Sequence, residues 1–298
     1  MDTLPIEIFV NHVATNLDAS SLHNLISTCW QYYKLPALRD RFIAIVKWRK
    51  LSECYKLSEE FIEKYFNNVD WAYILYSQAL SEKFIEKHSD KLNWIMVSRY
   101  QTLSEELIGK YSKEVEWVSI SEYQKLTEKF IEEHSAEVCW GVISMYQKLS
   151  GDFIEKHIHE MKWKYISKYQ KLTEEFIEKH LSDVCWERIS RHQKLSEKFI
   201  ERHSDKVKWI MVSKYQILSE EFIEIFSNLL GWKHISRYQK LSEKFIEKHS
   251  EEVNWDHISR YQVLSEKFMR THINKLNFEW LIIFQNLSDE FIEDYLET

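Results

Sequence analysis

Glycine and proline are nearly missing from this chain, at four and two residues among 298, against ordinary usage of roughly 7% and 5%. A sheet protein punctuated by tight turns, or a flexible linker, needs such residues at short intervals, and neither is present. The four cysteines, Cys29, Cys54, Cys139 and Cys185, include no Cys-x-x-Cys pair. A disulfide framework or zinc ribbon lacks its spacing, and reduced thiols in an intracellular protein are expected. No apolar run reaches the 18 or so residues of a membrane span, and the N-terminus carries no basic-then-apolar signal segment. Basic residues are also in the minority. The formal charge of −7 argues against a general nucleic-acid binder. Cytoplasmic residence follows as an expectation.

What the chain has is period. Ten tryptophans recur every 23 residues from Trp48 to Trp255, with Phe278 at the next step. Leu57 to Leu287 repeat at the same interval, and eleven units fill residues 46–298. A fixed period in this range marks a stack of identical supersecondary units whose core lies between neighbours. Aromatic residues make up 15% of the chain, so each unit has large side chains to bury.

Within a unit, Trp255, Ile258 and Tyr261 recur at i, i+3 and i+6, which predicts an apolar stripe on a helix A of about nine residues. A second start signal follows. Ser242 is placed as an N-cap with Glu243 in the first turn, and Leu241 and Ile246 are placed as a hydrophobic staple. Helix B, also near ten residues, then carries Phe245, His249 and Val253 inward. Helices this short hold only when stacked. The fold expected is all-α, an αα-hairpin solenoid of eleven 23-residue repeats behind a three-helix N-terminal module.

Histidine recurs in helix B, at His88, His134, His157, His180, His203, His249 and His272, but Tyr65, Tyr111, Phe226 and Tyr295 fill the same slot. Since these cannot replace an imidazole ligand, the slot is read as a packing seam, with no metal or cofactor site. Ser81 and His88 lie about 10 Å apart by helical rise, so no nucleophile–base pair forms and no catalytic residue is assigned. Gln78 to Gln285 recur in ten units, and a Ser four residues after the aromatic in nine. The Gln is expected to bond backbone at the turn as a ladder, and the Ser to permit close helix approach.

One face suggests binding. Arg99, Lys168, Arg191, Lys214, Arg237 and Arg260 recur five residues after the aromatic, with Lys125, Lys148, Lys171, Lys194 and Lys240 eight after it. Stacked, they form basic stripes that suit an acidic partner. Varied residues just after the Trp, such as Ile95, Met96, Ile210, Met211, His234 and Trp280, suit a recognition surface. A reader of single-stranded RNA, one base per unit, needs a repeated outward aromatic. None is expected here, so nucleic acid is set aside as a partner.

Residues 1–45 lack the period. Ile6, Val10, Val13 and Leu17 share one helical face while Phe9 points elsewhere, and a segment this short cannot build its own core. Leu4-Pro5-x-Glu7-Ile8, a helix ending Leu17-Asp18, Leu22-x-x-Leu25 and Cys29-x-x-Tyr32-Tyr33-x-Leu35 together resemble an F-box. Thr28 and Tyr32 stand where that family usually has Val and Trp. The resemblance implies docking on the Skp-type adaptor of a cullin–RING ubiquitin ligase through Leu4, Pro5, Ile8, Leu22, Leu25, Cys29 and Tyr32. The repeats would then hold a protein target. They look like the short Trp and Phe-Ile-Glu helical repeats of large DNA viruses of amoebae, which implies a viral protein acting in its host's cytoplasm. The competing expectation is a plain scaffold whose N-terminal helices only cap the stack.

Overall fold

A computed structural model describes residues 48–296. Among them are 22 helices and no strand, arranged as eleven A/B pairs from Trp48–Cys54 and Glu59–Lys64 to Phe278–Phe284 and Asp289–Leu296. The αα-hairpin repeat is as expected from the period. The N-terminal module lies outside the described residues, and so do the seven residues assigned to adaptor docking.

Both helices are shorter than the sequence suggests. Helix A has seven residues, such as Trp209–Tyr215, and helix B six, such as Glu220–Ile225, except the last, Asp289–Leu296, with eight. The B helices end at the histidine slot, where the C-cap residue leaves helical angles, as at His203 with φ −110 and ψ 32. The turn that follows is closed by tryptophan. Its indole N–H donates to the carbonyl five residues earlier, as Trp209 does to Ser204 at 3.1 Å and Trp117 to Ser112 at 3.0 Å. Each start of helix B is capped as predicted, with Ser196 Oγ accepting from Phe199 N at 3.2 Å.

Among the described residues the contacts form two compact units, divided between Cys139 and Trp140. In each, successive A helices pack against one another. The side chain three after the aromatic carries this contact: Ile74, Val97 and Ile120 in the first unit, and Ile143 to Leu281 in the second, are fully buried. At roughly 1.5–3 kcal/mol per buried aliphatic side chain, this column and the equally buried helix-B column of Ile62, Ile85 and Ile108 to Ile246 supply much of the cohesion. The repeat tryptophans, half-buried except for the buried Trp94, pack on rings of helix B in their own repeat. In the second unit Trp140 lies 6.3 Å from Phe153 and 4.8 Å from His157. The slot thus holds flat rings in a seam, as its Tyr and Phe occupants imply.

Three hydrogen-bonded columns join the repeats. The Gln column is the ladder expected: Gln216 accepts from Leu195 N at 3.0 Å and donates to the carbonyls of Ser190 and Gln193, both at 2.8 Å. It satisfies two carbonyls that the end of the preceding A helix leaves without partners. The Ser column does more than allow close approach. Ser213 Oγ donates to Trp209 O at 2.7 Å and accepts from Gly231 N, in the next repeat, at 2.9 Å.

A third column was not foreseen. The Glu after each cap reaches into the following repeat, where Glu174 accepts from Ser196 N at 2.6 Å and Ser196 Oγ at 3.0 Å. Glu266 does the same for Ser288 at 2.6 and 3.0 Å. At Gly151 this carboxylate is missing. A cavity of about 300 Å³, lined by Gly151, Lys171, Thr173 and Phe176 among others, stands there instead.

Candidate binding surface

Two recurring basic positions, one at the end of helix B and one on helix A, differ in their partners. On helix B, basic residues reach back to the preceding repeat's glutamates: Lys87 to Glu63 at 3.0 Å, Lys110 to Glu86 at 2.6 Å, Lys248 to Glu224 at 2.7 Å. Arg202 pairs with Glu178 in the same way. Buried histidines share these carboxylates, His88 at 2.6 Å from Glu63 and His249 at 3.3 Å from Glu224. The pairs hold Glu63 below the usual carboxylate range, chiefly through the bond from His88 and then Lys87, and Glu224 below it through Lys248 and then His249. Ser81, set beside His88 in the sequence, is engaged as a cap and donates to Glu59 at 2.9 Å.

Helix A is different. None of Arg99, Lys168, Arg191, Lys214, Arg237 and Arg260 pairs with a carboxylate among the described residues. Each lies over a tyrosine ring. In the first unit Arg99 stands 5.3 Å from the Tyr100 centroid and 5.4 Å from that of Tyr123. In the second unit Lys168 lies 4.3 Å from Tyr169. The longer run follows: Arg191 over Tyr215 at 4.9 Å, Lys214 between Tyr215 and Tyr238 at 5.0 and 5.4 Å, Arg237 between Tyr238 and Tyr261 at 5.0 and 4.8 Å. Arg260 closes it among three rings, Tyr261 at 5.1 Å, Trp280 at 4.5 Å and Phe284 at 4.9 Å. Cation and ring alternate from repeat to repeat.

These tyrosines correct two readings of the sequence. The Trp–Ile–Tyr series does not form one buried stripe: Ile258 is fully buried, whereas Tyr261 and its counterparts Tyr100, Tyr123, Tyr146, Tyr169, Tyr215 and Tyr238 are exposed. Six residues at 3.6 per turn turn the Tyr about 120° away from the Trp. The repeat therefore does present an outward aromatic at a fixed position, contrary to the premise used against nucleic acid. Lys125, Lys148, Lys171, Lys194 and Lys240 are exposed as expected. Of the variable positions, Ile95 and Ile210 are largely exposed.

Two histidines register the field of this face. His192 is pushed below the ordinary imidazole value by burial first, then by Arg191, Lys168 and Arg188. His234 is lowered by burial, then by Lys214, His257, Lys233 and Arg237. Cations without acidic partners are the common cause after burial. No helix among the described residues is long and apolar enough to cross a membrane. Cys54, Cys139 and Cys185 are free thiols. No protein-family model, curated protein or solved structure matches the chain.

Proposed function

We propose that the protein is a non-catalytic recruiting subunit. Residues 4–35 dock the Skp-type adaptor of a ubiquitin ligase, and the A-helix face of the repeats holds a protein target. The observation that carries the target-binding half is the row of cations on tyrosine rings, left without carboxylates while the cations in the last turn of the B helices are paired with glutamates of the preceding repeat. A face kept only for solubility gains nothing from this segregation, whereas an anionic partner finds its countercharges already in place. The adaptor half rests on the F-box-like pattern of Leu4, Pro5, Ile8, Leu22, Leu25, Cys29 and Tyr32. The resemblance of the repeats to those of amoebal viruses makes host cytoplasm the compartment of action.

The test is a pulldown of purified Skp-type adaptor with the full chain and with its Leu4→Ala/Pro5→Ala/Ile8→Ala variant. The reading expects retention by the parent and loss by the variant. No retention by the parent makes the N-terminal segment a cap on the stack and the protein a scaffold.

A further inference from the structure

The rings and cations of the second unit are placed to do one thing better than another. A guanidinium held over a tyrosine gives its flat face to the ring and leaves its terminal N–H groups for an anion, with the side chain positioned before any ligand arrives. That fork matches a carboxylate. Base stacking needs the opposite, an open ring face. Here the faces are taken: Tyr238 has Lys214 at 5.4 Å and Arg237 at 5.0 Å, and Tyr261 has Arg237 at 4.8 Å and Arg260 at 5.1 Å.

Spacing adds a second constraint. Packed helices stand about 8–10 Å apart, and an extended chain covers about 3.3–3.6 Å per residue. One repeat therefore matches about three residues of an extended peptide. We infer that Arg191, Lys214, Arg237 and Arg260 bind an extended acidic peptide segment, one carboxylate side chain per repeat, on guanidinium and ammonium groups held by the intervening tyrosines. This rests on the reading of the solenoid as the recruiting arm, and names the chemistry of what it recruits. The lowered His192 and His234 are consistent with a face whose positive charge awaits a partner.

The experiment titrates the full-length chain with a labelled peptide of about 18 residues built from Glu-Gly-Ser triplets. The controls are the Gln-Gly-Ser peptide and an oligouridine of matched length. The inference expects the Glu peptide to bind and the Gln peptide to bind at least about tenfold more weakly. The Arg191→Gln/Lys214→Gln/Arg237→Gln/Arg260→Gln variant should lose about tenfold or more, from charge-assisted bonds. The Tyr215→Leu/Tyr238→Leu/Tyr261→Leu variant keeps every charge and should still lose affinity, because the cations are no longer held. A Lys87→Gln/Lys110→Gln/Lys248→Gln variant, neutralised on helix B, should bind as the parent does. Circular dichroism establishes that each variant is folded. Equal binding of the Glu and Gln peptides, or loss on the helix-B variant equal to that on the ladder variant, overturns the inference. Tighter binding of the oligouridine overturns it in favour of nucleic acid. Because the adaptor pulldown reads residues 4–35 alone, adaptor binding without peptide binding defeats this inference and leaves the recruiting role standing.

Discussion

At the scale of the residue, the same chemical type does different work depending on which neighbour it meets. Gln216 is buried and every one of its side-chain bonds goes to the backbone of the preceding repeat. Gln216→Ala strands an N–H and two carbonyls, and should cost about 2–4 kcal/mol in urea unfolding. Gln216→Glu should be worse at neutral pH, since a carboxylate oxygen then faces the carbonyls of Ser190 and Gln193. Ile235 and Tyr238, three residues apart on one helix, give a sharper contrast. Ile235→Ala should cost about 2–5 kcal/mol by leaving a cavity between A helices. Tyr238→Ala should cost under about 1 kcal/mol, the worth of an exposed cation–ring contact. If the two losses are equal by the same assay, Tyr238 belongs to the core after all.

The sequence showed the Gln ladder and the caps because each rests on a local rule, a capping residue or an amide at a turn. It misplaced the tyrosine because i and i+6 were treated as one face. The recurring dipeptides Arg99-Tyr100, Lys168-Tyr169, Lys214-Tyr215, Arg237-Tyr238 and Arg260-Tyr261 were the available signal for the ladder. Their meaning depends on the next repeat's ring arriving on the other side of the cation, which packing decides and the 3.6-residue period does not.

At the scale of the element, the repeat is a hairpin whose ends are finished by its neighbour. From the sequence, the Glu that opens nearly every B helix suits its own helix terminus. In the structure its carboxylate caps the start of the next one, at a separation of 22 residues. That separation is visible in the sequence, but only as a coincidence of two repeating positions until the register between repeats is known. Gly151 tests the clamp in the gaining direction. Its ideal Cβ meets Phe176 at 3.4 Å, ordinary contact, and no glycine has a positive φ, so a side chain fits. Gly151→Glu should place a carboxylate at Thr173 and remove a glycine from a helix, together raising stability by about 1–2 kcal/mol. Gly151→Ala separates the two effects and should recover only the helical part, about 0.5–1 kcal/mol. Equal gains from both substitutions would remove the clamp from the explanation.

For the whole molecule, the column of Glu–Lys–His contacts makes stability depend on acid in a predictable sense. Glu63, Glu155, Glu178 and Glu224 are held below the ordinary carboxylate value, by His88, Lys179, Arg202 and Lys248 first in each case. A lowered carboxylate contributes stability above the unfolded value, about 4.3, and loses it as pH falls through the folded one. His192 and His234, lowered as well, act with the same sign from about pH 6.5 downward, because the unfolded chain takes up the proton first. Thermal melts should show Tm declining gently from about pH 6.5 and steeply below about 4.5. The Glu178→Gln/Glu224→Gln variant should flatten the steep part. A parent Tm that rises on acidification is incompatible with these pairings.

The all-helical repeat was legible at this scale because each 23-residue unit carries helical spacing and a second helix-start signal, while the boundary between compact units at residue 139 has no counterpart in the period. The central claim is that one chain bridges an adaptor and an acidic target. It is tested most directly by measuring the affinity of the Glu-Gly-Ser peptide for the full chain, alone and with saturating Skp-type adaptor, by sedimentation of the labelled peptide. The account predicts a three-component complex sedimenting faster than either pair, with peptide affinity unchanged by the adaptor and lost in the ladder variant. Displacement of the peptide by the adaptor, or no complex containing all three, would contradict it.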